Sequence, residues 1–211
     1  MVNRAADHLM IQLASNYWNG TADSVKDYIK GFNRSANAYI MFEKPFKNNP
    51  RFSIAAGVGV GTSNLYFKNM EVKIDAFKAK LPFIRTDTGL HFKKYKLSTA
   101  YIEIPVELRF MSKPATPNKS IKAAIGIKAG TLLNAHTKGK GQETASGTSL
   151  NGFTSKVGTR SYFNGTKLAV TARAGYGLFT LFGSYNLTNI FKDGVTPETK
   201  LIQVGLTISG L

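Results

Sequence analysis

The sequence predicts an all-β fold: an eight-stranded antiparallel up-and-down transmembrane β-barrel with short periplasmic turns and long extracellular loops. Three observations predict it. Apolar and non-apolar residues alternate with period two in eight segments. Short and long connections alternate strictly between those segments. The non-apolar faces are built from small residues interrupted by long charged ones.

Side chains alternate faces along a strand, so each segment can be sorted by parity. In 8–18, Leu9, Ile11, Leu13 and Tyr17 oppose His8, Met10, Gln12, Ala14 and Asn16. In 35–44, Ala36, Ala38, Ile40 and Phe42 oppose Ser35, Asn37, Tyr39, Met41 and Glu43. In 52–61, Phe52, Ile54, Ala56, Val58 and Val60 oppose Ser53, Ala55 and three glycines. The fourth segment, "YIEIPVELRF" at 101–110, places Ile102, Ile104, Val106, Leu108 and Phe110 against Tyr101, Glu103, Pro105, Glu107 and Arg109. The fifth, 120–133, sets Ile121, Ala123, Ile125 and Ile127 against Lys122, Ala124, Gly126, Lys128 and Gly130. The last three cover 166–176, 178–188 and 199–210. There Lys167, Arg173 and a series of Ala, Gly, Thr, Ser and Gln oppose Leu168, Val170, Leu181, Val204 and Leu206.

The connections after the second, fourth and sixth segments are short: "KPFKNNPR", "MSKPATPNKS" and little more than Gly177. Those at 19–34, 62–95 and 134–165 are long, and 189–198 is intermediate. An even number of strands with this asymmetry describes an outer-membrane barrel with its termini on the short-turn side. The third and fourth strands are expected to project beyond the membrane as a twisted hairpin. The first long loop contains "TADSVKDYIKGF", enough for one or two helical turns, and the Gly-, Ser- and Thr-rich 134–165 is expected to be mobile. Pro105 lacks an N–H for the ladder, so a bulge or a locally unpaired acceptor must accommodate it. Terminal Leu211 falls on the wrong parity, with Gly210 available to absorb the shift.

A soluble barrel would turn its apolar face inward, and a membrane barrel does the reverse. Small residues decide between them. A water-facing surface has no need of Ser-Ala-Gly-Gly-Gly, whereas the narrow interior of eight strands does. Glu43, Glu103, Glu107, Arg109, Lys122, Lys128, Lys167 and Arg173 then share one lumen, where buried charges persist only if paired. Glu107 is expected to pair with the fifth-strand cations, Lys128 in particular.

The remaining composition fits. The 211 residues suffice for a single barrel domain over 1–211, and the absence of cysteine excludes disulfides and thiol chemistry. No stretch is long and apolar enough for a transmembrane helix. "MVNRAADHLM" lacks a charged start followed by an apolar run. The expectation is therefore a mature chain in the outer membrane of a Gram-negative bacterium, with its signal peptide absent from this sequence.

Several stretches carry a family resemblance: "ADHLMIQL", "FSIAAGVGVGTSNLYF", "TAYIEIPVELRF", "KAAIGIKAGTLL" and the closing "LFTLFGSYNLTNIFKDG" with "LIQVGLTISGL". Across nearly the whole chain the sequence resembles the PorT-like outer-membrane β-barrel family of Bacteroidota. That resemblance implies a small outer-membrane barrel and a link to type 9 secretion, and it supplies no catalytic residues.

Candidate chemistry is sparse. "GVGVG" lies within an alternating strand rather than before a helix, so it is not a nucleotide loop. A lipid A-modifying enzyme would need a His, a Ser and a carboxylate near the outer rim. His8 falls at the wrong end, and only His91 and His136 are near the external loops. No metal or other cofactor is expected. The net charge of +16 calls for an anionic partner. It concentrates in the loops, at Lys68, Lys73, Lys78, Lys80, Arg85, Lys93, Lys94, Lys138 and Lys140. Outer-membrane lipids and lipopolysaccharide are the expected partners, with other outer-membrane proteins as a further candidate. Nucleic acid is not, since no recognition helix or aromatic platform accompanies the charge. The expected role is a non-enzymatic envelope anchor or a component of a larger assembly. A small pore or ligand-binding barrel is the alternative, and a lipid A-modifying enzyme comes third.

Overall fold

A computed structural model describes residues 8–209. Among the described residues eleven strands run in chain order: β1 (Leu9–Asn19), β2 (Arg34–Pro45), β3 (Phe52–Phe67), β4 (Met70–Val72), β5 (Phe83–Arg85), β6 (His91–Met111), β7 (Ile121–Glu143), β8 (Ser149–Gly158), β9 (Thr166–Tyr176), β10 (Phe179–Asn186) and β11 (Lys200–Ser209). A single helical turn, α1 (Asp23–Lys26), lies in the first long loop. Every pairing is antiparallel. The order β6-β3-β2-β1-β11-β10-β9-β7 closes on itself through β6–β7, giving an eight-stranded barrel. The parity question at Gly210 and Leu211 lies outside the described residues.

The apolar parity faces outward. Ile104, Ile125, Leu181 and Leu206 are 54, 63, 66 and 52% exposed, while Glu103, Glu107, Lys128 and Arg173 are buried. An oily outer wall around a charged interior is the inside-out arrangement of a membrane barrel. The three short connections lie at one end, the tightest being Gly177–Leu178 between Tyr176 and Phe179. Gly177 takes φ +60°, and a Cβ there would also strike the Asn118 carbonyl oxygen, so this turn requires glycine.

The strands outrun their predicted ends. β3 and β6 stay paired to Phe67 and Tyr95, forming the projecting hairpin, and β7 continues beside β6 to pair Glu143 with His91. Much of 134–165 forms strand, at 134–143 and 149–158: β7 exchanges its partner β9 for β8 above Leu132, and β8 lies along it from Gly158 to Ser149. The exchange coincides with a bulge, where Ala100 faces Asn134 but Tyr101 faces Leu132. Pro105 has no bulge. Pairing to β3 lapses between Val106 and Glu103 while the register is kept, so the missing donor leaves a local gap.

Above the membrane belt a second, apolar core caps the barrel mouth. Leu65, Phe67, Leu97 and Leu132 point inward from the barrel strands, and Met70, Val72, Ile74, Leu81, Phe163, Ile190 and Phe191 cover them from the loops. Trp18 packs edge-on to Phe67 and Phe191, with ring centroids 6.1 and 5.4 Å away. The small β4–β5 sheet belongs to this cap.

Candidate functional site

The lumen holds two glutamate-centred clusters. Glu103 on β6 accepts from Lys167 Nζ at 2.6 Å and from the Tyr39 hydroxyl at 2.5 Å, with Lys128 Nζ 3.9 Å away. Glu107, two strand repeats further along β6, accepts from Arg109 Nε at 2.8 Å and from Arg173 at 3.0 Å. Arg109 also donates to Glu43 at 3.0 Å, and Glu43 accepts from the Ser53 hydroxyl. The ammonium groups of Lys128 and Lys167 also face aromatic rings, those of Tyr39 and Tyr101, at 5.7 and 5.4 Å. Lys122 is buried near the short-turn end, level with Met111 and Gly175.

The eight charged residues assigned to the lumen therefore share it, but one pairing differs from expectation. Glu107 binds Arg109 and Arg173, not Lys128, which lies nearest Glu103. Glycine explains the difference. Gly126 faces Glu107 directly, Gly130 and Gly59 flank Glu103, and Gly61 lies beside the Glu103 carboxylate. A Cβ at Gly126 would lie 3.0 Å from Glu107 Cγ, and one at Gly61 would lie 2.4 Å from Glu103 Oε1. Each carboxylate leans over a residue with no side chain and reaches a cation one strand beyond β7, Lys167 or Arg173 on β9. Neighbouring-strand logic fails in an interior only one side chain wide.

Two neutral hydrogen-bonded chains line the other wall. Asn37 donates to Gln12 and Gln12 to Thr207, each at 3.2 Å, while Gln203 donates to Asn16 and Asn16 to Ser63 at 3.1 and 3.0 Å. These residues were legible as inward by parity, but their pairing depends on register that sequence does not carry. The charged clusters and these neutral chains together fill the section of the barrel that the membrane surrounds, and the apolar cap closes its outer end.

The histidines do not assemble a hydrolytic triad. His91 Nε2 is 4.0 Å from Glu143, but Ser149 donates to that carboxylate at 3.1 Å instead of facing the imidazole, and Lys93 neutralises it from 3.2 Å. A nucleophile needs the base beside it, with the carboxylate behind the base. His8 Nδ1 lies 3.4 Å from the Met41 carbonyl oxygen, and His136 Nδ1 lies 2.8 Å from Asn134 Oδ1.

The nine loop cations named from sequence are all exposed, and they divide into groups. Lys73 pairs with Glu71 at 2.7 Å, and Arg85 stacks 5.3 Å above the Tyr28 ring. Lys80 edges a cleft of about 500 Å³ walled by Trp18, Val25, Leu81, Phe83 and Phe191. Lys68 and Lys78 lie in the loops around the cap. Lys94, Lys138 and Lys140 stand on the projecting strands, where Lys94 directly faces Lys140.

No curated protein matches the chain. A family model described as an outer membrane protein beta-barrel domain matches residues 8–192, which takes in all the barrel strands but β11. With a closed barrel whose wall is apolar and whose lumen is charged, the chain belongs to the outer-membrane protein β-barrel family and is an outer-membrane protein.

Proposed function

We propose that this chain is a non-enzymatic anchor that holds a docking sheet outside the membrane, as one component of a larger outer-membrane assembly in a Gram-negative bacterium. The PorT-like resemblance of "TAYIEIPVELRF" and the closing strands extends the proposal to Bacteroidota and to type 9 secretion. One observation carries it. Above the belt, β3, β6, β7 and β8 form an open sheet whose two edges are treated differently. The β3 edge is covered: Lys30 donates to the Tyr66 carbonyl and Lys68 to the Tyr28 carbonyl, both at 2.8 Å. Among the described residues, β8 pairs with β7 alone, and Leu150 and Phe153 are exposed on it. An uncovered edge strand is a template for strand addition, and proteins that do not use one normally blunt it.

Cross-linking mass spectrometry on native outer membranes tests this. Cross-links from 149–158 to another envelope protein are expected, and they should vanish in L150K/F153K while the folded-barrel gel shift persists. Their absence in the parent, or their persistence in the variant, would refute the docking edge. The filled lumen also predicts no sustained conductance in planar bilayers.

The cleft beside Lys80 favours a second function, binding of a small amphipathic anion. Saturable quenching of Trp18, the only tryptophan, by a fatty acid would support it.

A further inference from the structure

Strand register gathers positive charge on the outer wall of the projecting sheet more tightly than the sequence suggests. Lys96 on β6 faces Lys138 on β7, which faces Lys156 on β8, so three lysines form one row across three adjacent strands. Lys94 and Lys140 form a second, shorter row beside it. Like charges placed directly opposite one another destabilise a sheet. No carboxylate relieves these. Among the described residues, none of the five lysines lies within 4 Å of an acidic oxygen, and Lys96 donates only to Asn64, at 2.7 Å. His136, next along the same face, adds a further nitrogen. Burial, then Lys156, Lys96 and Lys138, lowers its pKa, and burial followed by Lys138 and Lys156 lowers that of Lys96.

The row has a definite position. On β6 the outward parity runs Leu108, Val106, Ile104, Ile102, Ala100, Ser98, Lys96, so the lysines continue the lipid-facing wall directly above its apolar part. Lys96 stands four residue steps from Ala100, about 13 Å along a tilted chain, or roughly 10 Å above the belt. That height lies at the outer edge of the headgroup layer, which adds about 5–8 Å to each face of the hydrocarbon core. The inward residues at the same level, Tyr95 and Leu97, belong to the apolar cap, so the lysines have a rigid backing.

We propose that the Lys96–Lys138–Lys156 row is a binding site for the phosphate groups of an outer-leaflet glycolipid. A phosphate bound there would accept hydrogen bonds from several ammonium groups and remove their mutual repulsion. Its acyl chains would lie on the apolar wall below, through Ile102 and Ile104. The continuity of basic row and oily wall selects a lipid-borne phosphate over a free one. This site is independent of the β8 docking edge, since L150K/F153K leaves all three lysines in place.

The experiment compares the parent and K96Q/K138Q/K156Q in detergent micelles, following thermal unfolding by the gel shift. The probes are lipid A bisphosphate, chemically dephosphorylated lipid A, and inorganic phosphate at matched phosphate concentration. Lipid A bisphosphate should raise the parent's midpoint, while the other two leave it unchanged. Without lipid, the variant should be at least as stable as the parent because a repulsion is gone. With lipid A it should show about tenfold weaker apparent binding, the size expected when charge-assisted contacts are lost. Equal stabilisation of parent and variant would overturn the site. Equal stabilisation by dephosphorylated lipid A would overturn the role of phosphate, and equal stabilisation by inorganic phosphate would overturn the lipid as its source. K138Q alone, at an exposed position, supplies the same comparison if the triple variant does not fold.

Discussion

Arg173 on β9 places a guanidinium nitrogen 3.0 Å from Glu107 on β6, with β7 lying between their strands. Both side chains are almost fully buried. Breaking a buried pair by removing one partner typically costs about 3–5 kcal/mol, because the other charge is left without compensation. Glu107→Gln should therefore lower the unfolding temperature in detergent. Adding Arg173→Met should recover part of the loss, and adding Lys128→Met should not. A double-mutant cycle read by thermal gel shift separates the two, since only residues in one network couple.

Gly126 gives a steric counterpart. A Cβ at this position would meet the Val106 carbonyl oxygen at 2.2 Å and Glu107 Cγ at 3.0 Å. Gly126→Val should leave little folded barrel after refolding into detergent. Gly152, with open space around its Cβ position, is the control, and Gly152→Val should refold as the parent does.

Trp18 links the barrel wall to the cap through Phe67 and Phe191. Truncating such a side chain costs about 3 kcal/mol when it is largely packed. Trp18→Ala should loosen the cap and spare the barrel. Limited proteolysis should then cut within 68–90 and 189–198, while the membrane-embedded strands stay protected. Equal protease resistance in parent and variant would show that the cap does not depend on this residue.

His136 makes the projecting sheet sensitive to pH. Its folded-state pKa lies below the ordinary 6.5, through burial first and then through Lys156 on β8, Lys96 on β6 and Lys138 on its own strand. Below pH 6.5 the unfolded chain binds the proton more readily than the folded one, so stability present above that value is lost as pH falls toward the folded pKa. Amide exchange near 94–98, 136–140 and 154–158 should therefore accelerate between about pH 7.5 and about pH 5.5 beyond its intrinsic pH dependence. In His136→Gln this extra acceleration should disappear.

Inside the membrane the barrel was readable from sequence because one rule governs it: oily residues face out and small or charged ones face in. Above the belt the rule inverts without any break in the strand. On β3 the inward parity passes from Gly59 and Gly61 through Ser63 to Leu65 and Phe67, while Asn64 and Tyr66 turn outward. On β6 the outward Ile102 gives way to Lys96, and the inward Glu103 to Leu97. A parity search therefore ends each strand where its environment changes from lipid to water, which is why β3 was expected to stop at 61 and β7 at 133. The lumen charges were legible as a set for the same parity reason. Their partners were not, because Glu107 and Arg173 lie two strands apart and meet over the small Ala124 and Gly126 of β7, a contact that neighbour-by-neighbour pairing does not show.

The passage of β6 and β7 from wall to projection, without a turn or a flexible linker, has a mechanical meaning. Their shared ladder runs from Met111 and Lys122 at the short-turn end to His91 and Glu143 at the tip, about 70 Å of nearly continuous strand pairing. A pull on the tip along the strands loads many hydrogen bonds in shear together, a geometry that resists far better than unzipping them one by one. A sideways push has no hinge to absorb it and tilts the whole cylinder against the bilayer. The molecule is a stiff lever with the membrane as its fulcrum, so a sideways displacement of the tip reaches the periplasmic turns as a rotation.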